Sequence, residues 1–357
     1  MPRQLKFFEA IREATDQKMA QDPHIYLMGL GVPDPKGIFG TTSGLAEKYG
    51  PSRVMDMPTS ENAMTGIAIG SAILGMRPIM THQRVDFFIL ALDQLINNAA
   101  KWHYMFGGQM KVPLVIRLII GRGWGQGPQH SQSLHSFFAH VPGLKVVMPS
   151  TPQDAKGLLI SAIEDDNPVV YLEHRWLHNT FGEVSIDPTP IPIGKAKIVR
   201  FGTDITIVAA SHMVLEALGA IQLLEKEGIS AELIDLRTIR PLDKETILTS
   251  VKKTGRIIVA DPDWKTVSTA SEILAFIAEE ALSSLKSPPV RITYPDRHTP
   301  TSWALSNHFY PTAKHIAIEA LKMMGRSSQA QALIEQLLEQ HIRGPLDVPD
   351  EKFTGPF

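Results

Sequence analysis

The sequence predicts an α/β protein made of two doubly wound domains, each a parallel sheet covered by helices on both faces. Three observations lead there. Short apolar runs typical of buried parallel strands alternate with longer segments of helical periodicity through the first half of the chain. Around Phe181–Gly194 that periodicity lapses, and Pro188, Pro190 and Pro192 crowd together. The alternation then restarts. With 357 residues, 43% of them apolar, the chain can bury two medium-sized cores. The expected division is a first domain over 1–186, a linker over 187–197, a second domain over 198–324 and a tail over 325–357.

The opening MPRQLKFFEAIREATDQKMAQ mixes acids with bases and carries Phe7, Phe8, Ile11 and Ala14, so it reads as an amphipathic helix, not as a signal or transit peptide. HIYLMGLG then has the form of a buried strand ending in glycines. Further strands are expected at Arg53–Asp56, Arg77–Thr81, Leu114–Ile120, Leu144–Met148 and Val169–Leu172, with helices at Ala63–Leu74, Phe88–Met105 and Gln153–Glu164. In PTSENAMTGIAIG, Ser60 is the expected N-cap. Gly66 and Gly70, four residues apart, bare one stripe of the helix for close approach of another backbone. Beyond the linker, DITIVAAS, AELIDL and RIIVADP read as strands, and His212–Glu227 and Lys244–Lys253 as helices. From Gly325 the text turns polar, offers a helix near Gln329–Gln340 and ends in RGPLDVPDEKFTGPF, an arm expected to lie on a neighbour or stay mobile.

Composition excludes several classes. The net charge is −2 without a basic stripe for nucleic acid, and no run of 18 apolar residues suits a membrane span. No cysteine occurs, which rules out disulfides and thiolate metal sites. A soluble, cytoplasmic protein is the expectation.

Glu61 is the leading candidate for chemistry, a carboxylate where a loop turns into a helix too apolar and glycine-rich to face solvent. A glutamate at a helix start is ordinarily just a favourable charge at the positive end of the dipole. Its surroundings extend that reading. Phe87 stands at a strand-to-helix corner, where a flat ring can serve as a platform for a heterocycle at the carboxyl end of a parallel sheet. GRGWGQGPQHSQSLHSFFAH joins Gly121, Gly123, Gly125 and Gly127 to His130, giving a loop able to fold tightly against a ligand and a group suited to proton transfer. The glycines match neither GxxxxGK[ST] nor a GxGxxG opening a helix. His130 and His135 are poorly spaced for one helical face, and His174 and His178 have no third ligand beside them, so no zinc site is read. His82 and His103 read as structural histidines.

The order Glu61, Phe87, glycine-rich loop, PQHSQS and then HVPGLKVVMPSTPQDAKGLLISAIEDDNPVVYLEH resembles the beta subunit of the thiamine-diphosphate-dependent 2-oxo acid dehydrogenases, within the transketolase superfamily. DLRTIRPLDKETILTSVKKTGRIIVAD is similar to the carboxy-terminal domain of that subunit, and the likeness runs from about residue 3 to residue 320. The resemblance implies a transketolase-like pyrimidine-binding domain followed by a transketolase C-terminal domain. It implies oxidative decarboxylation of a pyruvate-like or branched-chain 2-oxo acid, with acyl transfer to a lipoyl group on a partner acyltransferase. Glu61 would hydrogen-bond a ring nitrogen of the cofactor's aminopyrimidine, Phe87 would stack on that ring, and His130 would face the substrate. Leu114, Ala162, Ile163, Asp165 and Asn167 fall where related subunits bind potassium through backbone carbonyls.

The family's magnesium and diphosphate motif, a GDG followed by paired asparagines, is missing; Asn97 and Asn98 lie in another context. The chain is thus expected to form half a site, with an alpha subunit holding Mg2+ and diphosphate in an alpha2beta2 assembly. Arg84, Arg122 and Trp124 depart from the family pattern and bear on the substrate. Asp261 and Trp264 are expected in packing or subunit contact. Two other functions are compatible with these residues: a split transketolase moving a ketol unit between sugars, and a scaffold subunit without catalysis.

Overall fold

The computed structural model describes residues 3–122 and 125–342, so Gly123, Trp124 and the last segment of the tail, all named above, lie outside the described residues. The first half runs β1 (Arg3–Lys6), α1 (Phe7–Gln21), β2 (Ile25–Met28), α2 (Leu45–Tyr49), β3 (Val54–Met55), α3 (Glu61–Ile73), β4 (Arg77–His82), α4 (Val85–Phe88), α5 (Ala100–Met105), β5 (Val115–Ile120), α6 (His135–Ala139), β6 (Lys145–Val147), α7 (Pro152–Glu164), β7 (Val169–His174) and β8 (Phe181–Val184). The second half runs β9 (Lys197–Arg200), β10 (Ile205–Ala209), α8 (Met213–Lys226), β11 (Ala231–Asp235), β12 (Thr238–Arg240), α9 (Lys244–Thr254), β13 (Ile257–Trp264), α10 (Thr269–Glu280), β14 (Val290–Tyr294), α11 (Trp303–Ser306), α12 (Ala313–Met323) and α13 (Ser327–Ile342).

Two main sheets result. The first has the order β12-β6-β7-β5-β4-β2-β3, parallel except for β12, and the second has the order β14-β13-β10-β11-β9, parallel except for β9. Strand alternation assigns the two faces. Val115, Ile119, Val169 and Tyr171 join Ile11, Ala14, Leu158 and Ile163 of α1 and α7, whereas Ile116, Leu118, Val170 and Leu172 point the other way, toward Ala68 and Ala72 of α3. The same rule divides the second sheet: Ile205, Ile207 and Leu233 meet α8 and α12, and Val208, Ile234 and Val259 meet α9 and α10.

The inward faces of the two sheets belong to one apolar cluster that runs without a break from Met80 and Ile116 to Ile234 and Val259. The seam is polar as well. β12 leaves the second half to pair antiparallel with β6, Thr238 opposite Val147. Arg240 Nη1 donates to the Ala139 carbonyl at 2.9 Å, Arg237 pairs with Asp154, and Ser150 donates to Asp235. The sequence does not announce this exchange, because a three-residue strand in DLRTIRPLD carries no alternation to detect.

Two further differences have physical reasons. The helix expected over Phe88–Met105 is a composite: α4, a 3₁₀ turn at Ile89–Ala91, a π turn at Gln94–Ala99 and α5. Asn97 and Asn98 donate to Asp93 and Gln94, four residues back, so polar side chains brace the widened stretch. The start of the tail is not an arm: α13 packs on α12, and Ala330 and Leu337 enter the second core. Ser60 does occupy the N-cap of α3, but its side chain makes no capping hydrogen bond.

A buried ion pair locks the seam. His135, at the first position of α6, reaches across to β13, with Nε2 at 2.7 Å from Asp261 and 3.6 Å from Asp263. Burial alone would lower the histidine's pKa, but the two carboxylates outweigh it and raise it to about 9. Asp261 also accepts from the Ala270 backbone at 2.9 Å, which anchors the start of α10. A histidine raised from its unfolded value of about 6.5 stabilises the fold fully below that pH and loses the contribution as pH climbs through about 9. The difference corresponds to about 3 kcal/mol. The expected outcome is a melting temperature that falls between pH 6.5 and 9 in the wild type and not in His135→Gln. Parallel pH profiles for the two proteins would sink the assignment.

Candidate active site

Glu61 begins α3, and its backbone carbonyl accepts from Thr65 Oγ1 at 2.8 Å in the regular helical pattern. Its side chain is only 7% exposed, yet among the described residues nothing donates to its carboxylate. Its oxygens are not among the buried polar atoms left without a partner, so the carboxylate still reaches the surface and keeps acceptor capacity for a ligand. Ala68, Ile69 and Ala72 press one face of α3 into the core. The other face is bare: a Cβ on Gly66 would meet only Gln94 at 3.5 Å, one on Gly70 would meet nothing within 4 Å, and Ile67 and Leu74 are 58% and 86% exposed.

Phe87 and His130, which the sequence reading treated separately, sit together. After β4, extended Arg84 starts the single turn Val85–Phe88. Phe88 enters the core, and Phe87 stays half-buried with its ring edge to face against His130, centroids 5.3 Å apart and planes at 87°. The 3₁₀ and π turns that follow pack along α3, so the helix that carries Glu61 and the turn that carries Phe87 are joined through them.

The glycine-rich loop that carries His130 is closed at its base by Gly121 N–H donating to the Gln132 carbonyl at 3.3 Å. Side chains fasten it to α4: Gln132 Nε2 donates to Asp86 at 2.8 Å, and Arg84 donates to Gln126. Burial pushes the Asp86 carboxyl up against the pull of Gln132 and Arg84, and burial likewise lowers Arg84. Gly121 takes φ +90 with the His174 ring so close that a Cβ would lie 2.1 Å from Nε2. Gly125 and Gly127, also at positive φ, face Thr301 of the second half at 2.8 and 2.6 Å from where a Cβ would be. Arg122 is 1% exposed, its guanidinium carbon 3.7 Å from the Trp176 ring centroid and 4.3 Å from that of Tyr310.

The remaining named residues have separate surroundings. His82 packs edge-on to Phe88 and burial lowers its pKa to about 3, while His103 Nδ1 lies 2.9 Å from the Met110 carbonyl. His174 stacks on His212 with centroids 4.2 Å apart, and His178 Nε2 lies 3.5 Å from Glu173. Trp264 donates to the Arg297 carbonyl at 2.8 Å, and Asp261 serves the seam.

The positions implied for potassium gather around the C-terminus of α7. Arg77 Nη1 donates to the carbonyls of Ile163 at 2.9 Å and Asp165 at 3.1 Å, and Leu114 accepts from Val169 N–H at 2.9 Å. The Asp165 carboxylate takes the Asn167 N–H at 2.9 Å and pairs with Lys145. Each carbonyl keeps a second lone pair, and Ala162 lies in the last helical turn, where carbonyls lack intrahelical partners. An all-oxygen set of this kind suits a hard cation next to Arg77.

Glu61 offers a carboxylate acceptor, and the Phe87–His130 pair an aromatic ring and an imidazole, groups of the kind that the aminopyrimidine end of thiamine diphosphate and the substrate side beyond it would take. Two cavities of about 1050 and 560 Å3 lie elsewhere, one lined by Pro152, Phe181 and Leu215 and the other by His140, Pro241 and Ser268. Asp86, Gln126 and Gln132 as loop braces, and Trp176, Thr301 and Tyr310 as its outer supports, have no local signal in the sequence. Only the spacing of the glycines hints at a loop under close packing.

Comparison with known proteins agrees with this architecture. The transketolase pyrimidine-binding domain family model matches residues 3–179, and the transketolase C-terminal domain family model matches residues 194–316. The acetoin:2,6-dichlorophenolindophenol oxidoreductase subunit beta of Cupriavidus necator is 44% identical over 334 residues, 91% of this chain and 98% of that protein. The 2-oxoisovalerate dehydrogenase subunit beta of Bacillus subtilis is 43% identical, covering 82% and 90% of the two chains. The mitochondrial pyruvate dehydrogenase E1 component subunit beta-2 of Oryza sativa is 42% identical, covering 89% and 86%. A solved split-gene transketolase, described as an inactive beta4 tetramer, shares the fold at a TM-score of 0.74 and 21% identity over 90% of this chain and 99% of that one. With both transketolase domains present and this level of identity along nearly its whole length, the chain belongs to the transketolase-type family of 2-oxo acid dehydrogenase and acetoin oxidoreductase beta subunits.

Proposed function

We propose that this chain is the beta subunit of a thiamine-diphosphate-dependent 2-oxo acid dehydrogenase, which decarboxylates a pyruvate-like or branched-chain 2-oxo acid and delivers the acyl group to a lipoyl carrier on a partner acyltransferase. The observation that carries this reading is the Glu61 carboxylate, which has no donor among the described residues, at the head of a helix whose outer face no described residue covers. Bound thiamine diphosphate supplies the nucleophilic carbon and the electron sink that decarboxylation needs. Glu61 would accept a hydrogen bond from the aminopyrimidine and so favour the ring's proton-accepting form. Phe87 would supply an apolar ring beside it. His130, fixed edge-on to Phe87, moves a proton at the substrate side.

An alpha subunit completes the site by holding Mg2+ and the diphosphate. Support comes from the exposed stripe of Gly66, Ile67, Gly70 and Leu74, which allows a second backbone to approach α3 closely, and from relatives whose names mark them as one subunit of several. The split-transketolase alternative keeps the same cofactor residues, and it differs in using sugar phosphates without a lipoyl acceptor. The 2-oxo acid reading is favoured by identities of 42–44% to oxidoreductase beta subunits, against 21% to the split transketolase. A potassium ion at the α7 terminus belongs to the same reading.

In the complex with a GDG-bearing alpha subunit, Glu61→Gln is expected to lower kcat with 2-oxo acids by about 100-fold or more while leaving assembly intact on gel filtration. Activity within a few-fold of the parent would contradict the role assigned to Glu61. Lipoyl-dependent consumption of a 2-oxo acid supports the proposal, and ketol exchange between sugar phosphates in its place overturns it. Exchanging NaCl for KCl at constant ionic strength is expected to raise the melting temperature by binding linkage, and equal values would remove potassium from the scheme.

A further inference from the structure

We propose that Arg122 is a positioning residue for His130, through which the second domain sets the geometry of the glycine-rich loop. The inference rests on the function proposed above and adds a residue to it. Arg122 follows directly on Gly121, whose N–H closes the base of the loop against Gln132, two residues beyond His130. Its guanidinium is removed from water and flanked by two rings, Trp176 from the turn after β7 and Tyr310 from the second half. A further neighbour, Glu216 at 3.9 Å, stands in the first turn of α8 and uses its other oxygen to accept the Ala313 N–H at 2.8 Å.

The arginine is therefore tied to elements of both domains. Tyr310 is itself held by Tyr294 and Phe309, with centroids 5.3 and 4.9 Å away. Farther along the loop, Thr301 presses on Gly125 and Gly127 from the same side, and the next fixed point is the His130 contact with Phe87. A planar, always charged group between aromatic faces is directional in a way an apolar side chain is not, so loss of the charge frees the loop to shift without emptying its core.

The test uses the chain assembled with its alpha subunit. R122M is expected to lower kcat with a 2-oxo acid about tenfold, a share of what a positioned proton-transfer group contributes, with KM and cofactor affinity within about twofold. R122K, which keeps the cation, should recover most of the rate. In a His130→Ala background R122M should cost less than about twofold, because the group it positions is already gone. Additive losses in that background, or wild-type kcat in R122M, overturn the proposal.

A second readout does not depend on turnover. Hydrogen exchange in peptides covering residues 125–132 of the isolated chain should quicken in R122M while β7 and α8 keep their protection, and unchanged exchange overturns the proposal. Absence of 2-oxo acid activity in the wild-type assembly would refute the function proposed above and leave the exchange comparison to decide the role of Arg122. Should R122M fail to fold, R122K carries the same kinetic cycle with an expected loss of about twofold to fivefold that disappears with His130→Ala.

Discussion

His130 stays against Phe87 because two sheets close on the loop between them. Among the described residues the loop from Gly121 to Gln132 has little structure of its own: Gly121 N–H to the Gln132 carbonyl shuts its base, His130 N–H to the Gly127 carbonyl at 3.4 Å makes a turn, and three of its glycines take positive φ. Such a segment loses much conformational entropy on ordering, and contacts from outside must compensate. They come from both sides. Asp86 and Arg84 grip it from the first domain, and Thr301, Tyr310 and Glu216 from the second. The continuous apolar layer between the sheets and the buried His135 to Asp261 pair keep those two sides at a fixed separation. The second domain, which donates none of the proposed catalytic groups, is thereby part of the active-site architecture.

The same logic explains why the site is open. Glu61 lies on a helix packed on one side only, and its carboxylate has no donor among the described residues. Exposed Ile67 and Leu74 beside unfilled Gly66 and Gly70 would be a liability on a solitary surface. Under the proposed function they are half of an interface whose other half would bring diphosphate and metal. Cofactor binding and subunit association would then use adjoining stretches of one helix, the first turn for the ring and the later turns for the partner.

Most of the fold was legible because its strands are buried on both faces and stand out as continuous apolar runs between helical periods. IYLM, VIRLII and VVYLEH could be placed within a residue or two for that reason. Motif order marked Glu61, Phe87 and His130, but their neighbours were invisible. Thr238–Arg240 joining the other domain's sheet, Thr301 covering two glycines and His135 reaching Asp261 are all contacts across long sequence separations. Local pattern encodes which face of an element is apolar, and it does not encode which distant element will cover it. The composite helix was missed for a different reason: 3₁₀, α and π turns share nearly the same hydrophobic period over a few residues.

Buried charge around the site follows a rule that packing alone does not give. Arg117 and Glu173 pair at 2.7 Å with both side chains fully buried, and His178 stands 3.5 Å from the same carboxylate. Burial pushes Glu173 up, but Arg117 and His178 more than offset it and hold the group below the usual range. An apolar replacement of equal volume would often be at least as stable, so stability is a poor reason for the pair to exist. Position is a better one. The His178 ring faces Phe7 and Phe39, both at 6.1 Å, and Arg175 lies 4.4 Å from the Phe39 ring, so the end of β7 grips the loop that follows β2. Arg84 approaches that same ring at 6.0 Å from the start of α4, next to Phe87. Two guanidinium groups, from the end of β7 and the start of α4, thus converge on the Phe39 ring and fix the loop that follows β2. An apolar contact tolerates sliding, whereas a charged fork between defined partners does not, and under the proposed function a half-site meeting a second polypeptide in register would need its rim fixed before the partner arrives.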